Sequence, residues 1–490
     1  MADVSAAAGR LVPRAVATGW GAKAILVFVL AGLMAIPGLF VFGLVLDRQH
    51  RAAEVTDEVS QMQGGSQQLL GPMLIAPYTA PRPPENDANG VPHPQPPQTG
   101  WYVVSPEQGT AAVQLQAQSL HRSIFKVPVY EATANIDAHF SAPPAAPNLP
   151  AGAQVDWQAA RIVVGLSDLR GAKSDVVGVV SGPAGKTTLA FAPASEISLG
   201  APAGPTPEAA ARAAASSSGP GSGYGLVSAP AAALVAGQGG DLHVTLRFTG
   251  AERLSVMPFA KSTTTRIAGD WGAPSFDGGF PPETRQLGQD AFSAAWSVPF
   301  IARGLSDHAA SDVLSLQQLG PKDLGVSLVP ATNPYQMLTR SLKYAVMFVG
   351  LVFLTFFVFE ALSGQRVHPA QYLLVGSAQM VFYLLLLSAS EYVGFDWGFA
   401  VAATGTVLLI GLYAGAAFKS RARSVQALAV FSVVYGLIYL LMRLEDFALL
   451  AGSIASFLGL AGAMYLTRNL DWYGGKPAAP VSAPAQTTGA

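Results

Sequence analysis

Long apolar runs divide the chain into a membrane part and a part of different character. The first uncharged run covers residues 24–46, and five more runs lie close together near the C-terminus. A bilayer-spanning helix needs about 20 predominantly apolar residues, which is longer than most core helices of soluble proteins. Runs of this length in tandem, joined by short loops, predict antiparallel spanning helices at 344–362, 369–390, 397–418, 424–442 and 447–467.

The first run has the pattern of a signal anchor. Residues 1–23 carry Arg10, Arg14 and Lys23 against the single acid Asp3. A cleavable signal peptide has a shorter apolar region and a cleavage site with small residues. We therefore expect residues 24–46 to remain attached as a transmembrane helix, which gives an α-helical integral membrane protein with six spans in a 1 + 5 arrangement.

Charges in the short loops predict the orientation of the spans. Lys and Arg next to spans favour the cytoplasmic side, and they occur at Arg366, in 419–423 and at Arg468. Acidic residues occupy the alternate loops, at Glu391 and Asp396. The pattern predicts that segment 1–23 and tail 468–490 are cytoplasmic, and that 47–343 lies outside, in the periplasm of a Gram-negative bacterium.

The region 47–343 has the pattern of β-strands. Apolar and polar residues alternate in 113–118, in 135–140 and in 242–249, and a period of two is typical of half-buried strands. Shorter apolar runs at 161–166, 176–180 and 326–329 favour further strands. We predict a large β-rich extracytoplasmic domain, sandwich-like in shape, followed by a five-helix bundle over 344–467.

Three segments have compositions that do not favour a packed core. Residues 81–97 are rich in proline, and 201–223 form an Ala, Gly, Ser and Pro tract with few large apolar side chains. Such a composition buries too little apolar surface to offset the entropy of ordering. We therefore expect surface loops, a disordered insert at 201–223 and a disordered tail within 468–490.

Composition supports the membrane class and excludes several chemistries. Half of the residues are hydrophobic, 12% are charged and the mean hydropathy is +0.36, whereas soluble domains carry roughly 25% charged residues. The chain has no cysteine, which excludes disulfides, thiolate metal sites and cysteine nucleophiles. A formal net charge of -1 gives no reason to expect a nucleic-acid partner.

Motifs for catalysis or cofactor binding are incomplete. None of the seven histidines stands in a zincin spacing. The segment Ser181 to Thr187 resembles the end of a phosphate-binding loop, but Val180 stands where the first glycine is required. Segment 165–169 lacks the closing glycine of a nucleophile elbow. We therefore expect no cofactor, no metal and no enzymatic activity.

Charged residues at the ends of the predicted spans suggest structural roles. Glu360 lies near the cytoplasmic end of the second span, where we expect its carboxylate to reach the membrane interface. Arg443, Glu445 and Asp446 lie in the tight outer turn between the last two spans. We expect a local ion pair there that fixes the turn.

Several ordered segments are distinctive enough to suggest a family. They are 64–78 (GGSQQLLGPMLIAPY), 124–130 (IFKVPVY), 165–171 (GLSDLRG), 271–282 (WGAPSFDGGFPP), 340–344 (RSLKY), 368–376 (HPAQYLLVG), 444–450 (LEDFALL) and 464–468 (MYLTR). Together they resemble the CreD family of bacterial inner-membrane proteins, also called cell envelope integrity proteins. The resemblance extends from the first span to Trp472 and Tyr473.

The resemblance implies a cellular role without a chemistry. CreD-like proteins are associated with a two-component envelope-stress regulon, colicin tolerance, cell shape and β-lactam phenotypes, and no catalytic residue or cofactor comes with the resemblance. We interpret the turn-forming and aromatic residues of these segments mainly as residues that stabilise the fold. The candidate interaction or structural residues are Gly71, Pro72, Trp271, Pro274, Phe276, His368, Glu445 and Asp446.

The leading interpretation is a non-enzymatic inner-membrane protein whose outer domain binds a lipid, a glycan or another envelope protein. A transporter or lipid-handling protein is an alternative, and it needs a shared lumen face for Ser377, Gln379, Ser388, Thr404 and Thr406. An envelope hydrolase or transferase is a second alternative. His121, Asp168 and Asp277 are the polar residues nearest its recognisable segments.

Overall fold

A computed structural model describes residues 20–469, except 87–91, 145–148, 184, 196, 198–224, 312–319, 330–333, 364 and 444–447. The predictions for the insert 201–223, for most of segments 1–23 and 468–490, and for Glu445 and Asp446 fall outside the described residues. The chain divides into two compact units. One unit comprises Met1–Ala52 with Thr332–Ala490, and the other comprises Ala53–Ala331.

The first unit is helical and is called the membrane unit below. Its helices are α1 (Trp20–Leu33), α2 (Ala35–Met62), α5 (Pro334–Lys343), α6 (Ala345–Ser363), α7 (Pro369–Val393), α8 (Phe395–Ala417), α9 (Arg421–Arg443) and α10 (Ala448–Thr467). Within the described residues, five helices are long and apolar enough to cross a membrane. Counting the bent pair of α5 and α6 as one span would make six, so the predicted number depends on that pair.

The two largest departures from the predicted spans have local causes. The first helical stretch is longer than predicted. It continues beyond residue 46, through an amphipathic segment, and ends at Met62. Its short interruption at Met34 precedes Pro37, which has no N–H to donate to the carbonyl of Leu33. The predicted span 344–362 corresponds to α6, whose axis is bent by 53° from that of α5.

Aromatic side chains fill the core of the membrane unit. The Phe356 ring lies between the rings of Tyr372, Phe418 and Phe431, at centroid distances of 5.9 to 6.2 Å. These rings come from α6, α7, the end of α8 and α9. Because lipid is as apolar as the core, packing rather than exclusion of water selects which residues face inward.

The second unit is called the β unit. Its strands are β1 (Gln67–Ala80), β2 (Glu85–Asn86), β3 (Pro92–His93), β4 (Gln98–Val104), β5 (Gln108–Arg122), β6 (Phe125–Phe140), β7 (Gln154–Val155), β8 (Arg161–Leu166), β9 (Val177–Gly182), β10 (Gly185–Ala190), β11 (Ala192–Pro193), β12 (Gly225–Pro230), β13 (Gly240–Ala251), β14 (Arg253–Val256), β15 (Ser262–Gly269), β16 (Pro274–Gly278), β17 (Thr284–Leu287), β18 (Phe292–Val298), β19 (His308–Ala310) and β20 (Leu324–Leu328). Short helices α3 (Ala232–Ala236) and α4 (Phe300–Arg303) connect strands.

Two large sheets contain most of these strands. The first has the path β11-β12-β8-β1-β14-β20-β16, with β4, β7 and β19 attached, and the second has the order β10-β9-β13-β6-β5-β15-β18-β17. A single hydrophobic cluster draws residues from both sheets, including Leu74 and Val326 of the first and Ile136 and Trp296 of the second. The β-rich prediction is confirmed, and the sandwich shape stays a prediction.

Alternation along three neighbouring strands decides which sheet face is buried. Strands β5, β6 and β13 contain the three predicted alternating segments. Ile136, Ala138 and Phe140 are buried, and the intervening Asn135, Asp137 and His139 are exposed. A shift of one residue would reverse this pattern, so burial of one face fixes the register. In the predicted loop 81–97, by contrast, β2 and β3 form a small pair.

Candidate functional site

Two of the distinctive residues shape the central strand of the first sheet. Gly71 and Pro72 lie in β1 where its register with β8 shifts between Leu70 and Met73. A Cβ at Gly71 would overlap the buried ring of Phe259, so only glycine allows this approach. The proline has no N–H for the ladder and is tolerated at such an irregularity. Both residues therefore have a structural explanation.

The segment around Trp271 closes one edge of the β unit. Trp271 Nε1 donates to the carbonyl of Val329 at 3.0 Å, and Pro274 begins strand β16 opposite Leu328. The Phe276 ring packs edge-on against Phe292 and Trp296, at centroid distances near 6 Å. These side chains attach β16 to the core.

A charged cluster next to Phe276 ties three strands together. Arg253 donates from Nε to Asp277 Oδ1 and from Nη1 to Asp323 Oδ2, each at 2.8 Å. Gln68 Nε2 donates to the same Asp323 oxygen at 2.9 Å. Burial alone would lower the pKa of Arg253, but the hydrogen bonds to Asp323 and Asp277 raise it above its usual value. The cluster joins β1, β14 and β16 to Asp323, the residue before β20, and each of its charged groups has a partner.

The three polar residues of the hydrolase alternative lie on separate elements. His121 is exposed on β5, opposite Lys126. Asp168 caps a single turn and binds the guanidinium of Arg170, whose hydrogen bonds outweigh burial and hold the pKa of Asp168 below its usual value. Asp277 belongs to the cluster with Arg253. In the part of the chain that the structure describes, no hydrogen bond joins any two of His121, Asp168 and Asp277.

A polar groove lies on the exposed face of the second sheet, and sequence analysis did not predict it. Its volume is about 590 Å³, within the range of small-molecule clefts. It crosses five neighbouring strands in the order β5, β6, β13, β9 and β10. The lining residues are Gln108, Thr110, Asp137, Ala138, His139, Val179, Ser181, Lys186, Asp241, Leu242 and His243.

Strand register arranges the groove side chains in two parallel rows. The first row, aligned residue by residue across the strands, is Gln108, His139, Asp241, Ser181 and Lys186. The second row, two positions along each strand, is Thr110, Asp137, His243, Val179 and Thr188. Because positions two apart on a strand share a face, both rows lie on the solvent side.

Each row contains one histidine bound to an aspartate of the neighbouring strand. His139 Nδ1 lies 2.7 Å from Asp241 Oδ1, and His243 Nδ1 lies 2.7 Å from Asp137 Oδ1. A carboxylate at Nδ1 favours the tautomer that carries its proton there, which makes Nε2 an acceptor in the neutral ring. The His243 Nε2 atom lies 3.3 Å from the hydroxyl of Thr245. The groove therefore presents oriented imidazoles beside carboxylate, amide, hydroxyl and ammonium groups.

The local alternation of apolar and polar residues could have shown that these residues are exposed, but not which of them contact each other. The alternation in 135–140 and 242–249 already places Asp137, His139 and His243 on one face of their strands. Their pairing depends on the register between β6 and β13, which are more than a hundred residues apart in the chain. Among the described residues, no group of three or more His, Asp or Glu side chains could hold a metal ion.

The membrane unit contains an ion pair whose carboxylate is fully buried and whose lysine is 21% exposed. Lys23 of α1 binds Glu360 of α6, whose side chain is 0% exposed. The other Glu360 oxygen accepts from the Tyr372 hydroxyl at 2.9 Å, and the N–H of Val367 donates to the carboxylate at 2.8 Å. Lys23 also donates to the carbonyl of Val367 at 2.7 Å. These partners bury the Glu360 carboxylate within the protein, and the expectation that it reaches the membrane interface stays a prediction.

Arg443 of the membrane unit forms an ion pair with Asp396, and the turn residues Glu445 and Asp446 of the expected local pair lie outside the described residues. Arg443 donates to both carboxylate oxygens of Asp396 at 2.5 Å, and its guanidinium lies over the Tyr439 ring. The pair therefore joins α8 to α9. His368 has a structural place, because its side chain accepts from the N–H of Ala370 at the start of α7 in a capping box with Gln371.

Polar residues of the transporter alternative do not share one face. Gln379 and Thr406 are buried in the bundle, whereas Ser377, Ser388 and Thr404 are exposed on the outside of their helices. Thr406 donates to the carbonyl of Ala402 in its own helix. The common lumen face that this alternative needs is therefore not formed by these residues.

Comparison with known proteins identifies the family. The family described as inner membrane protein CreD matches residues 20–473, which include both units. The chain belongs to the CreD family. The curated inner membrane protein CreD of Escherichia coli (strain K12) is 28% identical over 451 residues, which cover 90% of this chain and 91% of that protein. The CreD match confirms the resemblance found from the sequence segments, and the apolar helices agree with a CreD-like membrane protein.

Proposed function

We propose that this CreD-family chain maintains the integrity of the cell envelope as a non-enzymatic membrane protein. Its β unit lies in the periplasm and binds an envelope component at the polar groove. The observation that carries the proposal is the polar groove across five strands, in which each of two rows contains a histidine bound to an aspartate of the neighbouring strand. The hydrophobic core and the Arg253 cluster already supply the contacts that hold the fold together, so the groove residues are not needed for that purpose.

The periplasmic placement is supported by the charges of the loops. Arg366, the segment 419–423 and Arg468 are basic, whereas Asp396 is on the opposite end of α8. Reporter fusions after residue 364 and after Arg421 are expected to indicate cytoplasm. Fusions after residue 201 and after Asp396 are expected to indicate the outside. The reversed pattern would overturn the placement of the β unit.

The groove is tested by complementation of a strain that lacks the gene. The strain is exposed to envelope stressors and carries the wild-type chain, the double variant Asp137→Asn with Asp241→Asn, or the control Glu131→Gln. Glu131 lies on the same strand and face as Asp137 and forms a comparable cross-strand pair with Arg247. We expect the control to restore growth and the double variant to fail at equal membrane abundance. Full restoration by the double variant would refute the proposal.

A further inference from the structure

We propose that the polar groove binds a hydroxyl-rich, uncharged glycan chain that lies across the five strands. This inference rests on the proposed function, because it names the class of ligand that the exported β unit would bind. The argument comes from the length of the two rows, from their balance of charge and from the kinds of hydrogen-bonding groups that they contain.

The rows are long enough for an extended ligand. Each row crosses five hydrogen-bonded strands, and neighbouring strands lie about 4.8 Å apart, so a row extends roughly 19 Å. The two rows are separated by two residues along the strands, which corresponds to about 7 Å. A trough of this shape suits a linear chain of several rings better than a single small molecule.

The charges of the groove disfavour strongly charged ligands. Asp137 and Asp241 are each bound to an imidazole, and Lys186 supplies one positive charge at the end of the first row. Two carboxylates beside the trough repel phosphate and other anions. The positive charge of Lys186 likewise opposes a polybasic ligand. A neutral ligand meets neither penalty.

The hydrogen-bonding groups match sugar hydroxyls. A hydroxyl both donates and accepts, and the groove offers acceptors, donors and groups that do both in alternation. The carboxylates accept, Lys186 donates, and Gln108, Thr110 and Ser181 can do either. The bond of Asp241 to His139 Nδ1 leaves the Nε2 atom of that ring to face a ligand.

The same composition disfavours lipid tails and protein partners. Val179 is the one aliphatic side chain among the exposed positions of the two rows. Lipid chains need a continuous apolar lining. Protein interfaces are enriched in Tyr, Trp, Met and Arg and depleted in Lys, Asp and Ser, which is the reverse of the composition of this groove.

Direct binding tests the inference on the full chain in lipid nanodiscs. The probes are a β-1,4-linked N-acetylglucosamine hexamer, maltohexaose and inorganic phosphate. We expect at least one glycan to bind, and we expect Asp241→Ala to weaken it at least tenfold. Glu131→Gln should bind as the wild type does, and phosphate should neither bind nor compete.

The outcomes separate this inference from the proposed function. The glycan assignment is overturned if no glycan binds to the wild-type chain, although its unfolding temperature in nanodiscs shows that it is folded. It is also overturned if the Asp241→Ala variant binds glycan as well as the wild type does. The proposed function survives that result if the groove double variant still fails to complement. If the double variant complements fully while glycan binding is lost, the groove binds glycan but the proposed function is overturned.

Discussion

Glu360 of the membrane unit and the two groove aspartates of the β unit have opposite surroundings. Glu360 of the membrane unit is 0% exposed and has all of its partners inside the bundle. Asp137 and Asp241 of the β unit are 66% and 75% exposed, although each is bound to a histidine. Removing one partner of a buried pair destabilises the fold, whereas an exposed pair contributes little to stability and remains open to a ligand.

Glu360→Ala is expected to have the largest effect on stability. Removing the carboxylate leaves Lys23 without its charged partner. It also leaves the Tyr372 hydroxyl and the Val367 N–H without the acceptor of their hydrogen bonds. Breaking a buried ion pair from one side costs about 3 to 5 kcal/mol. The free energy of unfolding of the full chain in detergent, measured by denaturant titration, should fall by that amount.

A double variant sharpens the interpretation of Glu360. Replacing Lys23 and Glu360 together by Met removes both charges and leaves no buried ion unpaired, so it should cost less than Glu360→Ala alone. Glu360→Gln keeps acceptors for Tyr372 and Val367 and should be intermediate. A loss below about 0.5 kcal/mol for Glu360→Ala would contradict the enclosed pair.

Arg253→Met should have the next largest effect, in the β unit. The guanidinium is the common partner of Asp277 and of Asp323, and Asp323 is 7% exposed on its side chain. Its removal leaves a nearly buried carboxylate without a charged partner, which should cost about 3 kcal/mol. Differential scanning calorimetry of the full chain measures the change, and Arg247→Met, which removes an exposed pair with Glu131, is the control.

Arg303→Met tests the opposite case, a buried cation that lacks a carboxylate partner. Its side chain is enclosed, Nη2 donates to Ser105 at 2.8 Å, and Nε and Nη1 have no hydrogen-bond partner among the described residues. An apolar side chain of similar size should leave stability unchanged within about 1 kcal/mol, or raise it. A loss comparable to that of Arg253→Met would mean that the guanidinium is well compensated.

The pH dependence gives a second readout for Arg303. Burial lowers the pKa of Arg303 to about 10. A base whose pKa is lower in the folded than in the unfolded state destabilises the fold while it is charged. The cost is therefore full below about pH 10 and declines as the pH rises above that value. Any stability advantage of Arg303→Met should narrow over the same range.

Asp241→Asn should have the smallest effect on stability. The Asp241 side chain is mostly exposed, and exposed pairs contribute about 0.2 to 1 kcal/mol. We expect a change in the unfolding free energy below about 0.5 kcal/mol, together with loss of ligand binding. A large loss of stability would place Asp241 with the structural pairs and remove the contrast between the two units.

Features set by short stretches of sequence could be predicted, and features set by distant pairing could not. Apolar runs gave the spans, and alternation gave β5, β6 and β13 with the correct buried face. The partner of Glu360 is Lys23, which is 337 positions away, so the sequence pattern around Glu360 could not indicate this contact. Arg443 also pairs with Asp396 of the preceding helix, 47 positions away, which the pattern of its own turn could not indicate.

The groove shows the same limit. Asp137 and His243 could each be assigned to an exposed strand position, but their contact depends on the register of β6 with β13. Alternation fixes which face a residue is on and leaves open which residue of the next strand lies opposite. The distinctive segments led instead to Gly71, Trp271 and Phe276, which the structure explains through packing.

Photo-crosslinking in intact cells tests the central claim most directly. A photoreactive amino acid replaces Thr110, which lies in the second row of the groove, or Gln116, which is exposed on the same strand outside the groove. We predict that position 110 forms crosslinks to envelope material that glycan-degrading enzymes remove, and that position 116 does not. Equal crosslinking from both positions, or none from position 110, would contradict the account.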